Sequence, residues 1–187
     1  MDNFGFISGV SYSGPPTTNF GLFTQTASST PITNTTSELT LIDGGLGSLT
    51  VGPNLFVAGD TFKLSMYGHI SSQNNRTLRI RVKANSVILG DTGLITMPQT
   101  TNQHWNLEVM FTIRATGGVG VASIVSSGQF TYTKDASNAF EGEDFVTIEN
   151  TNFNTLISNT LNITAQWGNA STQNIIYSDS FVLYKVY

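Results

Sequence analysis

The chain has 187 residues, the length of one domain or at most of one domain with a structured tail, and it carries a net charge of −4 and no cysteine. Charged residues make up only 11%, against a usual share of about 25%, while Thr, Ser and Asn together fill 62 positions. These numbers exclude a disulfide framework, thiolate metal sites and a cysteine nucleophile, and without a Lys/Arg cluster nucleic acid is not expected as a partner. Intrinsic disorder couples low hydrophobicity to high charge; scarce charge and twelve Phe predict a folded chain instead. No apolar run approaches the roughly 18 residues of a membrane span, so membrane insertion is not expected. Met1-Asp2-Asn3-Phe4-Gly5-Phe6 has neither the charged nor the apolar region of a signal peptide.

Residues 1–38 are read as an extended N-terminal segment, and residues 39–187 as the domain proper. The segment is rich in Ser, Thr, Gly and Pro, yet Phe4, Phe6, Phe20, Leu22 and Phe23 interrupt it. A free linker has no need of them, so the segment is expected to dock its aromatics onto the body or onto a neighbouring subunit. After Gly44-Gly45-Leu46-Gly47 the pattern turns to period two. Phe62, Leu64 and Met66 alternate with polar residues, as do Leu78, Ile80 and Val82, then Trp105, Leu107, Val109, Phe111 and Ile113, then Leu161, Ile163, Ala165 and Trp167. Such alternation sends one face of a strand into a core and the other outward. Turn signals separate the runs at Asn74-Asn75, Gly90–Gly93, Gly117–Gly120, Ser127-Gly128 and Gly168-Asn169.

The expected strands are Thr61–Tyr67, Thr77–Lys83, Ser86–Leu89, Trp105–Ala115, Val119–Val125, Gln129–Thr133, Thr160–Trp167 and Ile175–Tyr187. No stretch carries a 3.6-residue stripe with a cap. The fold class is therefore all-β: an antiparallel two-sheet jelly-roll sandwich. Ser180-Phe181-Val182-Leu183-Tyr184-Lys185-Val186-Tyr187 is largely apolar on both faces. It reads as a central strand whose second side is covered by another subunit or, in the alternative, by a loop. Glu108, Met110, Arg114 and Tyr184 are the candidate residues of that subunit interface.

Catalytic chemistry finds no constellation. Only His69 and His104 exist, without a Gly-x-Ser-x-Gly elbow or His-x-x-x-His spacing, so both are read as strand-end residues, and no metal site or enzyme is expected. Glu141-Gly142-Glu143-Asp144 reads as a solvated acidic loop, with an oxygen-ligand calcium site and the paired carboxylates of a glycosidase as the alternatives. Gly117–Gly120 lacks the Lys-Ser/Thr of a phosphate-binding loop and reads as a hairpin. The Asn-x-Ser/Thr triplets at Asn34, Asn75, Asn162 and Asn169 are read as unmodified. No cofactor is expected. The surface is that of a binding module, rich in neutral hydrogen-bonding loops.

Several stretches together resemble one family: Gly59-Asp60-Thr61-Phe62-Lys63-Leu64, Trp105 through Arg114 with Gly117 and Gly120, Gly128-Gln129-Phe130-Thr131-Tyr132, Asn162 through Trp167, and Tyr184-Lys185-Val186-Tyr187. This is the C-terminal head domain that follows collagen-like stalks in surface-fibre proteins of giant DNA viruses and virophages. The likeness covers roughly residues 40 to 187. It implies a trimeric jelly-roll head on the virion surface that attaches to a host cell or companion virus through a glycan or protein receptor. The other role it allows is a structural trimerisation and capping domain with no receptor. The chain has no Gly-X-Y repeat, so a stalk is absent from it or was cut away. Long polar loops at strand ends are the places to seek receptor contacts. They supply Gln73, Asn74, Asn75 and Arg76, then Gln99, Asn102 and His104, and finally Asn138.

Overall fold

The computed structural model describes residues 22–135 and 139–186, and every regular element among them is a β-strand. Short strands come first: β1 (Phe23–Gln25), β2 (Ile32–Thr33), β3 (Leu39–Thr40), β4 (Gly45–Gly47) and β5 (Thr50–Val51). Then follow β6 (Thr61–Ser72), β7 (Arg76–Ala84), β8 (Val87–Asp91), β9 (Ile95–Met97) and β10 (Thr100–Ala115). The last four are β11 (Ser123–Thr133), β12 (Phe140–Asn150), β13 (Asn159–Trp167) and β14 (Ile175–Lys185). The larger sheet has the order β12-β11-β10-β6-β14-β1-β4, with β2 also on β14. The smaller runs β3-β13-β7-β8, with β5 on β13 and β9 on β7. The two sheets form the antiparallel sandwich that the alternation predicts.

Period-two patterning explains the core. Trp105, Leu107, Val109, Phe111 and Ile113 of β10 are all buried, as are Phe62, Leu64 and Met66 of β6. Leu78, Ile80 and Val82 of β7 and Leu161, Ile163, Ala165 and Trp167 of β13 close the core from the smaller sheet. Each large apolar side chain removed from water contributes about 1.5–3 kcal/mol before ordering costs. Trp167, fully buried, satisfies its one donor by giving Nε1–H to Ile32 O at 3.2 Å. A polar knot ties the sheet centre: Ser178, fully buried, donates Oγ–H to Leu41 O (2.6 Å) and its amide to Ser29 Oγ (2.9 Å), while Gln25 Nε2 donates to Ser178 Oγ (2.9 Å).

The structure departs from the sequence reading around β12. Residues 141–144 are not a loop: Glu141, Gly142, Glu143 and Asp144 lie in β12, paired with Tyr132, Thr131, Phe130 and Gln129 of β11. All four are exposed, because β12 is the sheet edge and carries charge where an interior strand would carry an apolar face. Ser127-Gly128 is not a turn either. It lies inside β11, which runs from Ser123 and joins two predicted strands into one, and strand does not begin at Val119. Gly128 signals a close approach: a Cβ there would lie 2.7 Å from Phe145 Cζ. Gly117–Gly120 does form the turn between β10 and β11.

Within the described part of the N-terminal segment, Phe23 is buried with its ring 5.5 Å from that of Phe181, and β1 lies between β14 and β4. Phe4, Phe6 and Phe20 lie outside the described residues. Strand β14 is central, between β6 and β1, with Phe181 and Leu183 buried on its inner face. Val182 and Tyr184 point the other way, and Val182 is 36% exposed in the single chain.

The outer face of the smaller sheet is a ladder of ion pairs. Glu38 meets Lys83 Nζ at 2.6 Å and Arg81 Nη1 at 2.7 Å, and Asp91 meets Arg79 Nε at 2.7 Å. Burial works against ionising Asp91, but the hydrogen bonds from Arg79 and the Gly93 amide, with the charges of Arg79 and Arg81, hold its carboxyl below the usual range. A depressed folded value means stability that is present above the unfolded carboxylate value of about 4 and is lost as the pH falls through the folded value. Asp91→Asn is thus expected to flatten the acid limb: urea midpoints of the variant should fall less between about pH 4 and pH 2 than those of the native chain. Equal slopes would show that Asp91 plays no part in acid unfolding.

Candidate functional site

Three connections meet at one end of the sandwich. The first is the tight turn from β6 to β7, where Asn75 takes the left-handed conformation (φ 59°) and its amide donates to Met97 O at 2.9 Å. The second is the short step from β9 into β10. Here Ser72 Oγ donates to Pro98 O at 2.5 Å, and a register shift between Thr100 and Gln103 accommodates Asn102 at φ 51°. The third is the loop from β13 to β14. Asn174 in that loop is fully buried, and its Oδ1 accepts the Gln73 amide at 3.1 Å.

Between them lies a cleft of about 650 Å³. Gln73, Asn74, Arg76 and Gln99, all candidates from the sequence, line it together. Thr172, Gln173 and Ile175 form the wall that sequence reasoning missed. The signal for that wall was present: Ser171-Thr172-Gln173-Asn174 has the same neutral polar composition as the loops selected and sits just before a strand. A relay fixes the floor. Arg76 Nε donates to Gln73 Oε1 (3.1 Å), and Gln73 Nε2 donates to Gln173 Oε1 (2.6 Å). Among the described residues no carboxylate, histidine, lysine or tyrosine lines the cleft. What it presents is amide, hydroxyl and guanidinium, which bind by hydrogen bonding.

Other sequence candidates fall elsewhere. Asn75 shapes the turn, and Asn102 donates its amide to Ser71 Oγ (2.9 Å) beside the cleft without lining it. His104 lies within β10, which begins at Thr100, and is not at a strand end. Its ring centre is 4.5 Å from that of His69, also inside a strand, whose Nδ1 is 2.6 Å from Asp179 Oδ2. Asn138 lies outside the described residues.

The outer face of the larger sheet gathers the interface candidates. Register places Tyr184, Lys63, Met110, Ser127 and Val146 in one cross-sheet row. Met110 is 48% and Val146 65% exposed. Glu108 is engaged within the chain, accepting from Tyr67 Oη at 2.9 Å and lying 3.2 Å from Lys63 Nζ. Next to it, Asn106 Oδ1 is shielded from solvent with no hydrogen-bond partner among the described residues. Arg114 is exposed near the end of β10.

At the edge of this sheet, Glu141 accepts from Tyr132 Oη and pairs with Lys134 Nζ, both at 2.6 Å. These contacts, that with Lys134 foremost, hold its carboxyl below the usual range, while burial and then Glu141 push the Tyr132 phenol up. Among the described residues no group of three or more His, Asp or Glu side chains is arranged to hold a metal ion.

No family model matches the chain, and no curated protein matches it. Among solved structures it is similar to the CBM2 module of the evolved Dit of Lactobacillus casei BL23 phage J-1. That similarity has 12% identity and a TM-score of 0.33, over 73% of this chain and 67% of that one. A likeness of this extent assigns neither residue roles nor a ligand.

Proposed function

We propose that the domain is the receptor-binding head of a viral surface fibre, that it works as a homotrimer, and that it holds a surface glycan in the cleft between the β6–β7, β9–β10 and β13–β14 connections. The observation that carries the reading is the cleft wall itself. Sugar hydroxyls are recognised by fixed neutral donors and acceptors, and here amides and hydroxyls from three connections converge on a concave site. Three such sites on one rigid head turn weak contacts into firm attachment. Support for the trimer comes from the outer face of the larger sheet, where Met110, Val146, Val182 and Tyr184 leave apolar surface and Asn106 keeps an unpaired acceptor. That face equally supports the second reading, a trimerising and capping domain with no receptor of its own.

A glycan array probed with the purified chain, together with light scattering, tests both. The expected result is a particle of three times 20.2 kDa that binds a subset of glycans, with Gln99→Ala weakening every one of them. A trimer that binds no glycan selects the capping role. A monomer removes the trimer from either reading.

A further inference from the structure

We infer that the cleft selects a saccharide bearing a carboxylate, with Arg76 as the group that recognises it; this rests on the glycan reading above. The argument is one of charge accounting. Lys63, Arg79, Arg81, Lys83, Lys134 and Lys185 are each ion-paired to an Asp or Glu of the same chain. Arg76 is not. Its partner is the neutral Gln73, through Nε alone, and its two terminal nitrogens make no hydrogen bond among the described residues. Among the described residues no acidic side chain lines the cleft with it. In a chain with twelve Asp and Glu against eight Lys and Arg, a cation without a carboxylate partner among the described residues, at the wall of a concave site, is set apart from those six.

The guanidinium is also held in place before any ligand arrives. Gln73 takes the Nε–H and is itself tied to Gln173, so the plane of the fork is anchored from behind while its outer N–H groups are left for an incoming acceptor. A planar carboxylate matches that fork with two parallel hydrogen bonds. Fixing the side chain beforehand lowers the ordering cost of binding. Asn74, Gln99 and Thr172 have no side-chain partner among the described residues and stand ready for the hydroxyls around the acidic group.

The test is calorimetric titration of the chain with sialyllactose and with trigalacturonate, two sources of a sugar carboxylate, against lactose and carboxyl-reduced trigalacturonate. Lactose 3-sulfate serves as the non-carboxylate anion. The expected result is that at least one acidic sugar binds about tenfold or more tighter than its neutral counterpart. Which of the two does so identifies the source. Arg76→Gln should erase that preference, so that the variant binds the acidic sugar no tighter than its neutral counterpart. Gln73→Glu should erase it too, by supplying an internal carboxylate to Arg76 without removing the cation, and so covers the case in which Arg76→Gln fails to fold. Equal binding of acidic and neutral sugars, a preference that survives Arg76→Gln, or sulfate bound as well as carboxylate would each overturn the inference and leave the glycan reading standing. Failure of all five sugars to bind at millimolar concentration would overturn both.

Discussion

Trp105→Ala is expected to lower the free energy of unfolding by about 3–5 kcal/mol, as large-to-small changes of buried aromatics do. The indole is 2% exposed, its ring centre lies 5.8 Å from that of Phe130, and Nε1–H is shared between His69 O and Tyr177 O, each at 3.1 Å. Removing it opens a cavity at the centre of the larger sheet and strips a donor from two carbonyls, one on β6 and one on β14. Trp105→Phe separates these effects: it keeps most of the apolar volume, and the lost donor should cost about 1–3 kcal/mol. Urea unfolding measures both. A loss below about 1 kcal/mol for the alanine variant would mean that β10 does not face the core.

Gly68→Val is expected to destabilise by about 3 kcal/mol or more, at the upper end for overpacking. Gly68 pairs with Trp105 across β10 and with Ser178 across β14. A Cβ at this position would overlap Tyr177 O and lie 2.8 Å from Ser178 Cα and 2.9 Å from Trp105 Cε2. Two of those atoms belong to backbone, so a rotamer change does not relieve the clash. Gly44, where a Cβ would meet nothing within 4 Å, is the control, and Gly44→Ala should be close to neutral. Combined with Trp105→Ala, the Gly68 substitution should cost less than it does alone, because the indole contact is gone, yet it should keep most of its penalty from Tyr177 O. Full additivity would show that the glycine is not what admits the indole.

The sandwich is legible in the sequence wherever a strand has one dry face. Trp105 through Ile113 announces β10 because five successive inward positions are apolar. Strand β12 is not announced, since Glu141, Gly142, Glu143 and Asp144 sit on an edge where neither face must be buried. Gly128 looks like a turn for a related reason: its missing side chain answers to the Glu108 carbonyl and the Phe145 ring, neighbours distant in sequence, and not to backbone bending. The cleft is half legible. Polarity at strand ends points to Gln73 and Gln99, but that they face one space, with Thr172 and Gln173 opposite, depends on β14 pairing beside β6. Local composition cannot encode that pairing. Parity, by contrast, separates His104 from the cleft, because it shares the outward register of Asn106 and Glu108.

The pairing of β1 with β14 sets an order of events during synthesis. Gln25 and Ser178, 153 residues apart, belong to the same buried knot, and β6 borders β14 directly. Until residues 175–185 leave the ribosome, β1 has only β4 beside it, and β6 offers an open ladder of amides and carbonyls on one side. Such long-range closure makes folding slow, and the waiting intermediate is the species most exposed to self-association.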